Sequence, residues 1–154
     1  GHSAGADIVS NITAQPSYLA KHRLEASDLA CTAPLDTAGF DKLAIPADGS
    51  ERQQWYQALG RDPKRLAATS ATRIVKAAGS KADVPSTFTV FRGNANRQRI
   101  EKGYATALRA AGTSVVLVDA TKLSHNEVNT RIGARGDTTM TPPLVRFLTT
   151  CFAP

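Results

Sequence analysis

The chain opens on Gly1-His2-Ser3-Ala4-Gly5, a serine in Gly-x-Ser-x-Gly spacing, and the apolar run Ala6-Asp7-Ile8-Val9-Ser10-Asn11-Ile12 follows at once. A serine carried on a sharp strand-to-helix turn needs small neighbours, so that the backbone can bend and lift the hydroxyl clear. The chemistry such a hydroxyl can do is attack on a carbonyl carbon, but serine is a weak nucleophile and needs a base. Three histidines are available. His2 adjoins Ser3, and on a tight turn their side chains diverge. His22 stands in a polar, basic stretch and is expected to face solvent. His125, in Leu123-Ser124-His125-Asn126-Glu127, follows the strongest strand pattern. A parallel sheet would place that loop at its carboxyl edge, where ligands gather.

The elements that must position these groups follow from periodicity. Residues 6–13 suit a helix with Ile8, Val9 and Ile12 on one face, ended or kinked by Pro16. Residues 17–24 form a short helical or looped connection. Residues 30–35 read as a strand that Pro34 weakens, since proline has no N–H for a ladder. The polar stretch from Asp36 to Asp62 is broken by Gly39, Pro46, Gly49 and Gly60, with an amphipathic patch over 53–59. Pro63 suits the first turn of another helix. Residues 37–70 are therefore expected as a cap-like excursion outside the main sheet. Residues 86–91 form a strand between Pro85 and Gly93, and residues 96–111 a helix with Ile100, Tyr104, Ala107 and Leu108 on one side. Residues 114–118 are a continuous apolar run of the kind buried on both faces of a parallel sheet. A last helix spans 142–151. Strands alternating with helices predict an α/β fold with a mostly parallel sheet flanked by helices, residues 1–154 forming one domain.

This layout resembles the α/β-hydrolase family, in particular its carboxylesterase, lipase and arylformamidase-like members. The elbow from Gly1 to Gly5, the strand-helix-strand unit from Pro85 to Val118, the Ser124-His125 loop and the closing helix carry the likeness. Together they cover nearly the whole chain but only the carboxyl-terminal portion of such a domain, an incomplete fold lacking its amino-terminal strands. The resemblance implies Ser3 as nucleophile, His125 as general base and the Ala4 N–H as one oxyanion donor, the other donor coming from an upstream loop. It also implies an acid just beyond the strand ending at Phe91, where this chain has Gly93-Asn94-Ala95-Asn96. Asn96 holds the usual acid position, yet an amide cannot stabilise an imidazolium by charge. Some lipases of the family place the acid after the preceding strand, which points to Asp36. Asp119 and Glu127 are nearer His125 in sequence but less suited by topology. Trp55 and Tyr56 either line an acyl pocket or pack an amphipathic helix, the second reading being favoured.

The expected activity is hydrolysis of a carboxylic ester through an acyl-serine intermediate, with a small-molecule ester as substrate. The alternatives are an inactive fragment or relic that needs a companion amino-terminal segment or a second copy along an uncovered sheet edge, and a basic binding module. No metal and no organic cofactor is implied. The net charge of +6 is dispersed along the chain and only 6% of residues are aromatic, which disfavours nucleic-acid binding. No run approaches the ~18 to 20 apolar residues of a membrane span. Cys31 and Cys151 match neither a disulfide framework nor a zinc site and are expected as buried free thiols. Asp41 and Glu127 are expected as solvated or hydrogen-bonding loop residues.

Overall fold

A computed structural model of the chain describes residues 1–153. Its centre is a parallel pair, β1 (Thr87–Phe91) and β2 (Val115–Asp119), in register from Thr87 opposite Val115 to Phe91 opposite Asp119. Two isolated parallel bridges widen this layer beyond β1, one between Thr32 and Thr87 and one between His2 and Leu35. Residues 1–3, residues 32–35, β1 and β2 therefore lie side by side and point the same way. The expected strand over 30–35 is thus reduced to bridges. Thr32 N–H donates to Ser86 O at 2.9 Å and Leu35 N–H to Gly1 O at 2.8 Å, while Pro34 between them has no N–H to give.

Among the described residues eight α-helices frame this layer: α1 (Ala4–Ala14), α2 (Pro16–Ala20), α3 (Ser50–Leu59), α4 (Pro63–Ala68), α5 (Ala71–Ala78), α6 (Ala95–Ala110), α7 (His125–Thr130) and α8 (Thr141–Cys151). The architecture is α/β with a parallel sheet. Helix α6 forms the crossover between β1 and β2. Asn94 caps it by accepting from Arg97 N–H at 2.9 Å, and Ile100, Tyr104, Ala107 and Leu108 are buried on its inner face, as expected. A core on this side joins them to Phe40, Ile45, Ala71 and Val75, with the Phe40 and Tyr104 rings stacked at 4.2 Å. Phe40 and Ile45 belong to the 37–70 segment, so that excursion supplies part of the core through its 3₁₀ turn at Ala38–Ala44. On the other side Phe88 and Val90 of β1 pack with Leu35, Val128, Met140 and Phe147, using α7 and α8 as cover. Alternation along β1 sends Thr87 and Thr89 to the opposite face, where Thr89 Oγ1 donates to Pro34 O at 2.9 Å.

The structure corrects or adds to the sequence reading at four points. Ile8 and Ile12 do not face the core: they are 58% and 36% exposed, while Ala6, Ser10, Thr13 and Ala14 are buried. Ser10 Oγ and Thr13 Oγ1 donate to Asp7 O and Val9 O, each at 3.0 Å, so small polar side chains satisfied within the helix permit the close approach that bulky ones would prevent. Strand β2 is only partly buried along 115–118, because among the described residues it pairs on one side alone. Helix α5 has no counterpart in the sequence reading. Finally, Cys31 and Cys151 form a disulfide with Cα atoms 5.9 Å apart, tying the start of the bridged segment to the end of α8. Separation by 120 residues hid a proximity that only the packing of α8 creates.

No helix among the described residues is long and apolar enough to cross a membrane.

Candidate active site

Parallel neighbours end together, and each releases a polar residue at the same rim. Ser3 follows the His2 bridge, Asp36 follows Leu35, Arg92 follows β1, and Ala120 leads from β2 to His125. These carboxyl ends border a cavity of about 570 Å³ whose wall includes Ser3, Ala4, Asp36, Trp55, Arg92 and His125. The loops and helix starts that follow the strands thus converge where ligands collect in a parallel layer.

Ser3 sits between bridge and helix with φ 57° and ψ −121°. Its N–H donates to Leu35 O at 3.0 Å and its carbonyl accepts from Ala6 N–H, which locks the turn from both sides. A Cβ on Gly1 would overlap the Gly5 carbonyl, so the first glycine is required by packing; a Cβ on Gly5 would meet nothing within 4 Å. Ala4 N–H, at the first position of α1, finds no hydrogen-bond acceptor among the described residues and borders the cavity.

His125 opens α7 and does not stand in a loop as expected. Ser124 caps the helix, its hydroxyl accepting from Glu127 N–H while the Glu127 carboxylate accepts from Ser124 N–H at 2.9 Å. That reciprocal cap fixes where the helix begins and so aims the imidazole. His125 Nδ1 lies 2.6 Å from Asp36 Oδ2, and the Asp36 side chain is completely buried. The contact assigns the tautomer: Nδ1–H donates to the carboxylate, leaving Nε2 as an acceptor.

Asp36 is the hub of the site. Arg97 donates to Oδ1 from Nε at 2.8 Å and from Nη2 at 2.6 Å, and Arg92 Nη1 donates to Oδ2 at 3.0 Å. Burial alone would raise its pKa, but the Arg97 charge, the His125 hydrogen bond and the Arg92 charge outweigh it and hold the carboxyl below its ordinary 3.8. Asp36 is therefore an anion at neutral pH. Behind it Glu101, completely buried, accepts from Arg92 N–H at 2.8 Å through Oε2. Arg97 Nε comes within 3.3 Å of Oε1 without forming a hydrogen bond. Desolvation dominates there and pushes the Glu101 pKa up to about 9, with the Asp36 charge adding to the rise, so Glu101 is protonated at neutral pH.

His2 has a part that spacing did not suggest. Its Nε2 lies 2.9 Å from His125 O, and the two rings sit 4.4 Å apart, tilted by 33°. With a carbonyl as partner, His2 Nε2 carries the proton. Burial is the main cause that lowers its pKa, which favours the neutral ring. Donor atoms of His2, Asp36 and His125 lie within 4.8 Å of one another, a set of metal-binding type. The hydrogen bonds of His125 Nδ1 to Asp36 and of His2 Nε2 to His125 O draw these three side chains together.

The remaining candidates lie elsewhere. Asn96 Oδ1 accepts from Arg99 Nη2 at 2.7 Å and makes no bond to His125, so the usual acid position contributes nothing to the imidazole. The reason is local: Asn94 caps α6, and Asn96 on its first turn gives its amide oxygen to Arg99 one turn further on. Asp119 is exposed and holds Thr121. Glu127 caps α7, and Asp41 pairs with Arg73 at 2.7 Å. His22 is exposed, as expected. Trp55 joins the cavity wall, whereas Tyr56 packs between Arg52 and Arg61. Arg92, Arg97 and Glu101 were not singled out in the sequence. The available signal was chemical, because a completely buried carboxylate demands counter-charges.

No protein-family model, no curated protein and no solved structure matches the chain.

Proposed function

We propose that this chain carries the catalytic residues of an α/β-hydrolase and cleaves a carboxylic ester through an acyl-serine intermediate. The observation that supports this best is the buried Asp36–His125 pair, 2.6 Å apart, on the wall of the same cavity as Ser3. A carboxylate that steadies Nδ1–H leaves Nε2 to take the serine proton.

In the proposed cycle Ser3 Oγ attacks the ester carbonyl carbon as its proton passes to His125 Nε2. The C=O electron pair moves to oxygen, and the Ala4 N–H donates to that oxyanion. The tetrahedral adduct collapses, the C–O bond to the alcohol breaks, and His125 returns the proton to the leaving oxygen. Water then attacks the acyl-serine, giving a proton to Nε2, and collapse releases the carboxylic acid and restores Ser3 Oγ–H. Asp36 stays ionised throughout, its charge balancing the imidazolium that forms twice per cycle.

A fluorophosphonate probe tests this reading. Labelling at Ser3, confirmed by peptide mass spectrometry and lost in Ser3→Ala and in His125→Ala, is the expected result. Labelling that survives Ser3→Ala would put the nucleophile elsewhere and end the proposal.

A further inference from the structure

The cavity beside Ser3 has two guanidinium groups on its wall, more positive charge than the orientation of one carboxylate requires. Arg97 commits Nε and Nη2 to Asp36, but its Nη1 turns to Glu51. Arg92 donates from Nε to Leu123 O at 3.1 Å and from Nη1 to Asp36, while its Nη2 has no partner among the described residues. The two counter-charges differ in kind. Asp36 is completely buried and bonded three ways, whereas the Glu51 side chain is 44% exposed, on the first turn of α3 at the cavity rim. Arg97 itself is only 12% exposed, so an anion meeting it inside the cavity would bind a largely dehydrated cation.

From this we infer that the site takes esters bearing a carboxylate a short chain from the scissile carbonyl, with that carboxylate displacing Glu51 from Arg97 and drawing on the free Arg92 donor. Glu51 occupies, in the unliganded protein, the place of the substrate's negative charge. Trp55 and Ala58 supply the apolar wall along which the intervening methylenes lie. The two arginines then do double service: one edge of each holds Asp36 toward His125, and the other edge selects the substrate. Binding charge to these groups leaves the Asp36 contacts intact, because Arg97 uses different nitrogens for its two partners. This substrate class rests on the hydrolase reading of Ser3 and His125, so the two are tested by separate readouts.

Trp55 is the chain's single tryptophan and borders the cavity, so its fluorescence reports occupancy without any chemistry. The titration uses Ser3→Ala protein with monomethyl succinate, which carries one carboxylate and one ester, against neutral dimethyl succinate. Expected is a saturable change with the monoester, about tenfold tighter than with the diester and weakened by added salt. Glu51→Gln in the same background removes the competing charge and is expected to tighten the monoester about threefold, with no effect of that sign on the diester. Equal affinity for the two esters, or Glu51→Gln that leaves monoester binding unchanged or weaker, would overturn the inference. Glu51 lies at the surface, and a thermal melt of Glu51→Gln confirms that the variant is folded. Fluorophosphonate labelling of the unmutated protein is scored apart. Anion discrimination without labelling upholds the anion subsite and removes the esterase; labelling without discrimination does the reverse.

Discussion

His125 Nδ1 and Asp36 Oδ2 lie 2.6 Å apart although 89 residues separate them in sequence. The carboxylate reaches the imidazole because Leu35 and β2 end at the same rim of one parallel layer. Asp36→Asn should keep the site's shape but allow the wrong imidazole tautomer, at a cost of about 10⁴ in turnover. Asn96→Ala, at the position where family resemblance expects the acid, should stay within about threefold of the unmutated protein. Rates of fluorophosphonate labelling and of p-nitrophenyl acetate hydrolysis check both. The reverse ranking would return the acid role to residue 96.

His2 holds His125 through the hydrogen bond to His125 O and the neighbouring, tilted rings. His2→Ala removes both contacts and should slow labelling about 10- to 100-fold by loosening the imidazole. His2→Phe keeps a ring and should fall between the two. The pair of rates separates the packing contribution from the hydrogen bond.

Glu101 makes stability depend on pH in a definite direction. In the unfolded chain its carboxyl ionises near the ordinary 4.5, and in the folded protein near 9. Between these values the folded state holds a proton that the unfolded state has released, so its contribution is fully present below 4.5 and is lost as pH rises toward 9. Glu101→Gln mimics the protonated form and cannot ionise when unfolded. Its melting temperature should therefore gain on the unmutated protein as pH goes from 5 to 8, by about 3 °C or more. A gain that stays flat across this range would mean that Glu101 is ionised in the folded protein and paired with Arg97.

The Cys31–Cys151 bond closes a long loop and should contribute about 2 to 4 kcal/mol by restricting the unfolded chain. Dithiothreitol, or Cys31→Ser with Cys151→Ser, should lower the denaturation midpoint accordingly. Non-reducing mass mapping identifies the linked peptides. Free thiols on intact folded protein would contradict the bond directly.

Gly39 packs beneath Trp55 and beside the ion pair of buried Lys42 with partly exposed Asp7, whose nitrogen and oxygen are 2.6 Å apart. A Cβ there would come within 2.5 Å of Asp7 Oδ1 and 2.7 Å of Trp55 Cζ2. Gly39→Ala should destabilise by about 1 to 3 kcal/mol through overpacking. Because the displaced ring borders the cavity, tryptophan emission should shift in the folded variant. An unchanged melt would show that Trp55 yields freely.

The alternation of strand and helix and the buried face of α6 could be read from residue order, since both depend on short-range periodicity. So could the candidates Ser3 and His125, whose motif and place after a strand are local features, and Asp36, one of the two acid positions that the family likeness offered. What could not be read depends on long-range closeness. Arg92 and Arg97 are ordinary basic residues until folding brings them to Asp36, and Cys31 meets Cys151 only through α8. The outward face of α1 misled because hydrophobicity is a poor guide where a helix must come close: Ala6 and Ser10 fit against its neighbours and Ile8 does not. Helix α5 is strongly amphipathic, but its eight residues make little more than two turns, too short a window for the period to set it apart from a connection.

Ser3 and Asp36 both have φ 57°, a region that costs side-chain-bearing residues roughly 1 to 3 kcal/mol. At Asp36 the ion pairs with Arg92 and Arg97 outweigh that strain, since losing the carboxylate would strand two largely buried charges. At Ser3 nothing comparable holds the side chain, so glycine there would relax the backbone while deleting the hydroxyl on which the proposed chemistry depends. A library of variants ranked for heat resistance alone should therefore keep the carboxylate and discard the hydroxyl as if it were a defect.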